Sequence, residues 1–287
     1  MLGRFLHAKV DTLPRPSTNM ESERVPVPVE TAAPGGTTNA YVLGSERVVL
    51  VDPAAETAAL DAALDGRRVD TVLVTHAHPD HVGGVAAYAD RGATVLARAG
   101  YEGRFERATG VAPDDTFRNG TTIETDAGSL TVASTPGHAP DHVALGFDDG
   151  VLVGDLAIAS GSVVVAAGGG DMRGYLTALR RLYARDPERL YPGHGPAIDE
   201  PRAVLERLIA HRLDREAAVL QAVTEGAGTV AEITDTAYEK DVSGVRDLAE
   251  ATVEAHLEKL AVEGRVAWDG ARASARDVLR RGGEPDL

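Results

Sequence analysis

A large α/β domain followed by a small helical one is the fold class this sequence predicts, on three observations. From about residue 25 to residue 195, short β-branched runs bounded by Gly, Pro, Asn and Ser alternate with helix-like stretches. After Pro196 the pattern turns to helices with brief punctuation, closed by a strand pair. A length of 287 residues at 43% hydrophobic content suffices for a well-buried α/β core plus an appended unit.

Taken in order, residues 1–24 are polar and Pro-interrupted, and read as a disordered extension whose true start is Met1 or Met20. The first strand alternation is Val25-Pro-Val-Pro-Val29. Asn39–Leu43 and Arg47–Asp52 form a hairpin across Gly44-Ser-Glu, and Ala54–Leu64 is helix-like. Asp70–Thr75 is a strand that ends directly at His76. Helices are expected at Val82–Tyr88 and Met172–Arg185, with strands at Thr94–Ala97, Thr121–Thr125, Leu130–Ser134, His142–Phe147 and Val151–Val153. Pro201–Val223, Thr229–Tyr238 and Gly244–Glu263 read as helices, the last with apolar positions at Leu248, Val253, Leu257 and Leu260, before the strand Arg265–Asp269. Helices followed by a strand pair is a winged-helix order. The domains are therefore expected at 25–199 and 200–280, with 281–287 a flexible tail.

Composition narrows the chemistry. Zero cysteines remove disulfides and thiolate ligands together. No apolar run reaches the roughly 18 residues a membrane span needs, so the expectation is a cytoplasmic protein without a membrane partner. Acidic residues outnumber basic ones by 44 to 29, and Lys occurs only at 9, 240 and 259. That balance reads as halophilic adaptation, or as an acidic protein whose Arg bias reflects codon usage. Under the salt reading the charge is environmental, so it does not exclude nucleic acid.

The stretch His76-Ala-His-Pro-Asp-His81 places four metal-liking side chains in six residues. Imidazole nitrogen and carboxylate oxygen are the donors that borderline divalent cations prefer. His76 and His78, two apart, face one side of an extended backbone, while Asp80 and His81, after the Pro79 turn, face a second ion. Thr135-Pro-Gly-His138, Val153-Gly-Asp155 and Tyr191-Pro-Gly-His194 each place one more donor at a strand end. The expected arrangement is one ion on His76, His78 and His138, another on Asp80, His81 and His194, and Asp155 bridging. The cofactors would be two divalent ions, Zn2+ first with Mn2+ or Fe2+ as alternatives, and the nucleophile a shared hydroxide.

Around this set, Asp80 and His142 are the candidate catalytic residues; His142 either donates to a scissile oxygen, orients Asp141, or is structural. Asp52 is expected to hold a metal-binding histidine in its tautomer, and Asn39 either lines the site or forms a turn. His211 reads as a packing or surface residue, and His7 and His256 as incidental.

The sequence His76-X-His-X-Asp-His81 with Pro136-Gly-His138, Gly154-Asp155 and Pro192-Gly-His194 resembles the metallo-β-lactamase superfamily. The resemblance implies an αββα sandwich with metals at one edge of the two sheets. Thr135-Pro-Gly-His-Ala-Pro-Asp-His142, Tyr191-Pro-Gly-His-Gly-Pro196 and the winged-helix-like tail are similar to the lactamase-β-like group, which includes a mitochondrial single-strand endoribonuclease.

Absent cysteine excludes the thiolate lactamase site, and the interval from His138 to His194 is too short for the large cap domain of RNA-end-processing nucleases. Endoribonuclease is the reading preferred over thioester hydrolysis of the glyoxalase II type. For the nuclease, Arg173, Arg180, Arg181 and Arg185 would guide phosphates, with Tyr101 and Tyr175 as stacking candidates. A third alternative is a non-catalytic nucleic-acid-binding winged helix. Against it, Val245–Glu263 carries Asp247, Glu250, Glu254, Glu258 and Glu263 against only Arg246 and Lys259. The tail is therefore expected to be a wall of the substrate groove or a homodimer contact.

Overall fold

The computed structural model describes residues 22–148 and 150–276. Residues 1–21 of the extension expected over 1–24, with Met1, His7 and Met20, and the expected tail at 281–287 lie outside the described residues.

Strand β1 (Ser22–Pro28) pairs antiparallel with β2 (Thr37–Leu43), which pairs antiparallel with β3 (Val48–Val51). From there the sheet becomes parallel, through β4 (Val69–Leu73), β5 (Thr94–Arg98) and β6 (Asp115–Phe117). The parallel steps are made by crossovers: α1 (Ala58–Leu64), the pair α2 (Pro79–Val82) and α3 (Val85–Asp90), and α4 (Glu102–Thr109). A second sheet holds β7 (Thr122–Thr125), β8 (Gly128–Ser134), β9 (Val143–Phe147), β10 (Gly150–Gly154) and β11 (Arg189–Pro192) in the order β11-β10-β9-β8-β7. Its single parallel step, β10 to β11, is spanned by α5 (Met172–Arg185).

Strand alternation produces the layers. In β3, Val49 and Val51 meet Leu130, Leu145 and Leu152 of the second sheet, while Val48 and Leu50 face Leu60 and Leu64 of α1. On the far side, Val151 and Val153 pack against Tyr175, Leu176 and Leu179 of α5. The result is helix, sheet, sheet, helix.

The C-terminal unit comprises α6 (Pro201–Thr224), α7 (Val230–Ala237), a 3-10 turn at Ser243–Val245, α8 (Arg246–Val262) and the hairpin β12 (Val266–Trp268) and β13 (Ala273–Ala275). A separate core of Val219, Ile233, Val253, Leu257, Leu260 and Val266 holds it together. It is not free of the first domain: Leu205 and Leu208 of α6 and Ala255 of α8 share the core of α5.

Several expectations need correction. Ser22–Arg24, expected in the disordered extension, begin β1, because their backbone pairs with Tyr41–Leu43. The helix expected over Val82–Tyr88 is two short helices. It breaks at Gly83 and Gly84, where the backbone packs directly on the carbonyls of Ala54 and Pro53. Asp80 and His81 therefore sit on α2, with Pro79 at its first turn. Helix α4 and strand β6 were not anticipated; Phe105 is the one fully buried side chain of α4. Leu248, expected on the apolar stripe with Val253 and Leu257, is 38% exposed.

Candidate metal centre

Asp52 follows β3 with φ of 52°, a left-handed turn that aims its carboxylate at the end of β4. It accepts hydrogen bonds from the Thr75 backbone N–H at 2.6 Å and the Thr75 hydroxyl at 2.8 Å, and His81 Nδ1 at 3.0 Å. Because the Thr75 hydroxyl donates to Asp52, it accepts from His76 Nδ1 at 3.1 Å. A single carboxylate thus orients His81 directly and His76 through Thr75. Asp141, in the loop after Pro136-Gly-His138, accepts from the Ala77 N–H at 2.8 Å and pairs with Arg104 at 2.9 Å, tying the histidine loop down between its first two ligands.

The other two histidines are fixed in the same way. His138 Nδ1 donates to the Val164 carbonyl at 2.7 Å and His194 Nδ1 to the Thr37 carbonyl at 2.9 Å. With Nδ1 committed to an acceptor, Nε2 of His76, His81, His138 and His194 is the nitrogen left to turn inward. His78 Nδ1 lies 2.9 Å from His76 Nε2 and 2.8 Å from His138 Nε2.

Asp155, at the end of β10, stands between the two groups. Its Oδ1 is 3.6 Å from His81 Nε2, and its Oδ2 is 3.6 Å from His138 Nε2 and 3.3 Å from His194 Nε2. Asp80 Oδ2 is 3.6 Å from His194 Nε2 and accepts from the Thr31 hydroxyl at 2.6 Å. Three sets of donors lie close enough to share an ion: His76, His78 and His138; His76, His81 and Asp155; and Asp80, His81 and His194. All seven candidate ligands converge on one place.

Electrostatics distinguish the members. Burial, then the neighbouring imidazoles, hold His76 well below the usual histidine range, and burial, His138 and Arg104 bring His78 down to about 4. Burial also opposes charge on His81, but the carboxylates of Asp155 and Asp52 outweigh it and hold His81 well above that range. Asp155 is buried too, yet His81 and His194 keep it a carboxylate.

Do these residues fit a cation? His81 Nε2 and Asp155 Oδ1 are both buried and without a hydrogen-bond partner, which costs free energy unless something joins them. An all-nitrogen-and-oxygen donor set around two such orphaned atoms fits divalent ions.

His142 does not fit the catalytic role expected of it. Its side chain is fully buried; Nε2 accepts the Asp155 backbone N–H at 3.0 Å, so Nδ1 donates to the Thr135 hydroxyl at 2.8 Å. With both nitrogens engaged and burial bringing it down to about 3, it positions Asp155 rather than meeting substrate, and it does not contact Asp141 as a donor. Asn39 also stands behind the site, donating to the carbonyls of Pro192 and Gly195 and so shaping the His194 turn.

Tyr175, a stacking candidate, is buried under Gly137 with its hydroxyl on the Leu156 carbonyl. Tyr101 is half-buried beneath Arg98. Arg173 and Arg181 flank a separate open cleft beside Pro136, and Arg180 and Arg185 are exposed on α5. His211 is half-buried on α6, while His256, read as incidental, is fully buried beside Glu216 between α6 and α8. Thr31 and Arg104 carried no signal in the sequence.

A cavity of about 390 Å³ opens over His78, Asp80, His138, Asp155 and His194. Away from these candidate ligands its wall is mainly apolar, with Ala32, Ala33 and Pro34 on one side, Ala157, Ile158, Val163 and Val164 on another and Leu248 from α8, interrupted by the hydroxyls of Thr31 and Ser162. Among the described residues Glu30 is the only other charged one lining it, and no Arg or Lys does. Both basic residues of α8 are already paired, Arg246 with Asp235 and Glu250, and Lys259 with Glu216 and Glu263. Among the described residues no helix is long and apolar enough to cross a membrane.

Residues 33–194 match the family described as the metallo-beta-lactamase superfamily, and residues 229–274 match the beta-lactamase associated winged helix domain. A "Beta-lactamase-like protein 2 homolog" of Drosophila melanogaster is 31% identical over 252 residues, covering 80% of this chain and 84% of the relative. An "Atrochrysone carboxyl ACP thioesterase" of Aspergillus fumigatus is 27% identical over 240 residues, covering 73% and 71%. The crystal structure of a metallo-beta-lactamase family protein from Thermus thermophilus superposes with a TM-score of 0.74 at 28% identity, covering 89% of this chain and 98% of that one.

Proposed function

This chain belongs to the metallo-beta-lactamase superfamily, whose members are generally hydrolases, and from that premise we propose that it is a two-metal hydrolase of acyl thioesters or esters. One observation carries the choice of substrate: away from the candidate ligands the cavity is mainly apolar, and among the described residues it offers no cationic side chain to a polyanion. The similarity to a thioesterase supports the same reading.

In this reading His76, His78 and His138 would hold one ion and Asp80, His81 and His194 the other, with Asp155 available to both groups of donors. Zinc is the ion we favour for a cysteine-free nitrogen and oxygen set. When bound, the pair supplies Lewis-acid activation of water and stabilises negative charge developing on the substrate. Asp52 fixes His81, Thr31 orients Asp80, and His142 holds the backbone of Asp155. The apolar walls exclude bulk water and bind the acyl portion. A thiolate leaves without a dedicated proton donor, since thiols ionise near pH 8.5. We place the domain boundary near residue 200, between β11 and α6, and read the second domain as a wall of the groove.

The endoribonuclease reading is kept as the second one. It is favoured by the open cleft flanked by Arg173 and Arg181, which offers cationic side chains to a phosphate backbone. Purified, zinc-loaded protein assayed in parallel on S-butyryl-N-acetylcysteamine and on single-stranded RNA, at low and high salt, separates the two. Thioester hydrolysis lost in Asp80→Ala supports the first reading. RNA cleavage lost in the same variant, with no thioester turnover, replaces it with the second.

A further inference from the structure

We infer that the cavity takes an uncharged, apolar acyl group and that Leu248, supplied by the C-terminal domain, sets the length of that group; this rests on the acyl-hydrolase reading above. Leu248 lines the same cavity as His78, Asp80, His138, Asp155 and His194, so an acyl carbon held at those ligands extends its chain toward this side chain.

The position of Leu248 on α8 is informative. Val253, Leu257 and Leu260 of the same helix are fully buried in the C-terminal core, whereas Leu248 departs from that core and keeps 38% of its surface exposed. A single exposed leucine is ordinary on a protein surface. One that borders an apolar cavity beside a candidate catalytic centre has a ready means of burial, the substrate itself.

The wall around it is held firmly enough to measure length. The loop carrying Ile158 and Val163 is gripped from the C-terminal domain at three residues: the Ala167 N–H donates to the Ala251 carbonyl of α8 at 3.0 Å, Arg212 of α6 donates to the Val163 carbonyl, and Arg207 of α6 donates to the Ile158 and Ala159 carbonyls at 3.0 and 3.1 Å. Ala255, two turns along α8 from Leu248, is locked into the core shared with α5. Thus α8 cannot swing away from the cavity without breaking packing on the first domain. The lining's one extra charge, the carboxylate of Glu30, disfavours acyl groups with an anionic end.

The test is a chain-length series. N-acetylcysteamine thioesters from acetyl to dodecanoyl are assayed for kcat/KM, and binding of the matching non-hydrolysable S-alkyl thioethers is measured by calorimetry, for wild type, Leu248→Ala and Leu248→Trp. In wild type, kcat/KM and affinity are expected to rise about fourfold per methylene until the cavity is filled, then level or fall. Leu248→Trp should move that limit to shorter chains, lowering the ratio of kcat/KM for the longest substrates to that for acetyl tenfold or more. Leu248→Ala should move the limit to longer chains. Metal content and melting temperature, measured on each variant, confirm that the ligand shell and fold are intact.

Acetyl turnover with a length profile identical in all three proteins would overturn the role of Leu248 and leave the hydrolase reading standing. No thioester turnover at any length would overturn the hydrolase reading and this inference with it. Thioether binding that does not strengthen with chain length in wild type would overturn the apolar acyl site whatever the variants do.

Discussion

His81 Nδ1 lies 3.0 Å from Asp52 Oδ2, and the same carboxylate takes both the backbone N–H and the hydroxyl of Thr75, one residue before the first candidate ligand. Asp52 therefore acts on both groups of donors without belonging to either. Asp52→Asn keeps a residue that tolerates φ of 52° but removes the charge. Zinc affinity is expected to fall about 10- to 100-fold. Chelator-competition titration measures it, and unchanged affinity would reduce Asp52 to a turn former.

His81 Nε2 and Asp155 Oδ1, buried without a hydrogen bond and 3.6 Å apart, predict that divalent ions stabilise the fold. At a free ion concentration of 100 times Kd, binding contributes about 2.7 kcal/mol, several degrees of melting temperature for a chain of this size. Metal analysis is expected to give about two ions per chain for the proposed binuclear site. The thermal shift should shrink in Asp155→Ala, and well under one ion per chain after zinc supply would contradict the binuclear arrangement.

Gly137 is a place where one methyl group should disturb the centre. Its φ is +149°, and a Cβ there would sit 2.3 Å from the backbone nitrogen of Tyr175 in α5. Helical backbone cannot yield as a side chain tip does, so Gly137→Ala should cost at least about 1–3 kcal/mol and displace the adjacent His138. Gly110→Ala is the control: its φ is +73° with open space around it, so only the backbone preference is lost. Calorimetry and metal stoichiometry should change together in the first variant, and stoichiometry should hold in the second.

Asp126 offers a pH test far from the metal centre. It accepts from the Ser45 hydroxyl and from the N–H groups of Ser45, Glu46 and Arg47, and these bonds hold its carboxyl below the usual carboxylate range. A pKa depressed by folding adds stability that is present above the unfolded value, near 4, and is lost as pH falls through the folded one. Asp126→Ala should therefore melt lower than wild type at pH 7, with the gap narrowing below about pH 4. A gap that stays constant across this range would assign the effect to packing.

The candidate ligands, which the structure brings together, are legible because each is announced by local chemistry: a dense histidine cluster after a strand, or a glycine turn at a strand end. Asp52 was legible for the same reason. What could not be read depended on approaches between distant segments. Thr31 reaches Asp80 from the loop after β1, a pairing no spacing rule predicts. His142 looked like a candidate acid until its ring was placed under the Asp155 backbone. Tyr175 looked available until Gly137 closed over it. Leu248 continues the helical repeat of α8, but that helix runs past the edge of its own core there, so periodicity assigned the side chain to the wrong surroundings. Helix α4 buries chiefly Phe105, too little apolar patterning to stand out.

His76 to His81 follow a strand of the first sheet, whereas His138, Asp155 and His194 all follow strands of the second. Neither sheet alone supplies a complete set of donors, so an ion can be fully enclosed only after the two have docked face to face. An interaction completed that late in folding acts mainly on the return journey: bound metal should leave the folding rate nearly unchanged and lower the unfolding rate, so that the ion serves as a latch on a structure already assembled.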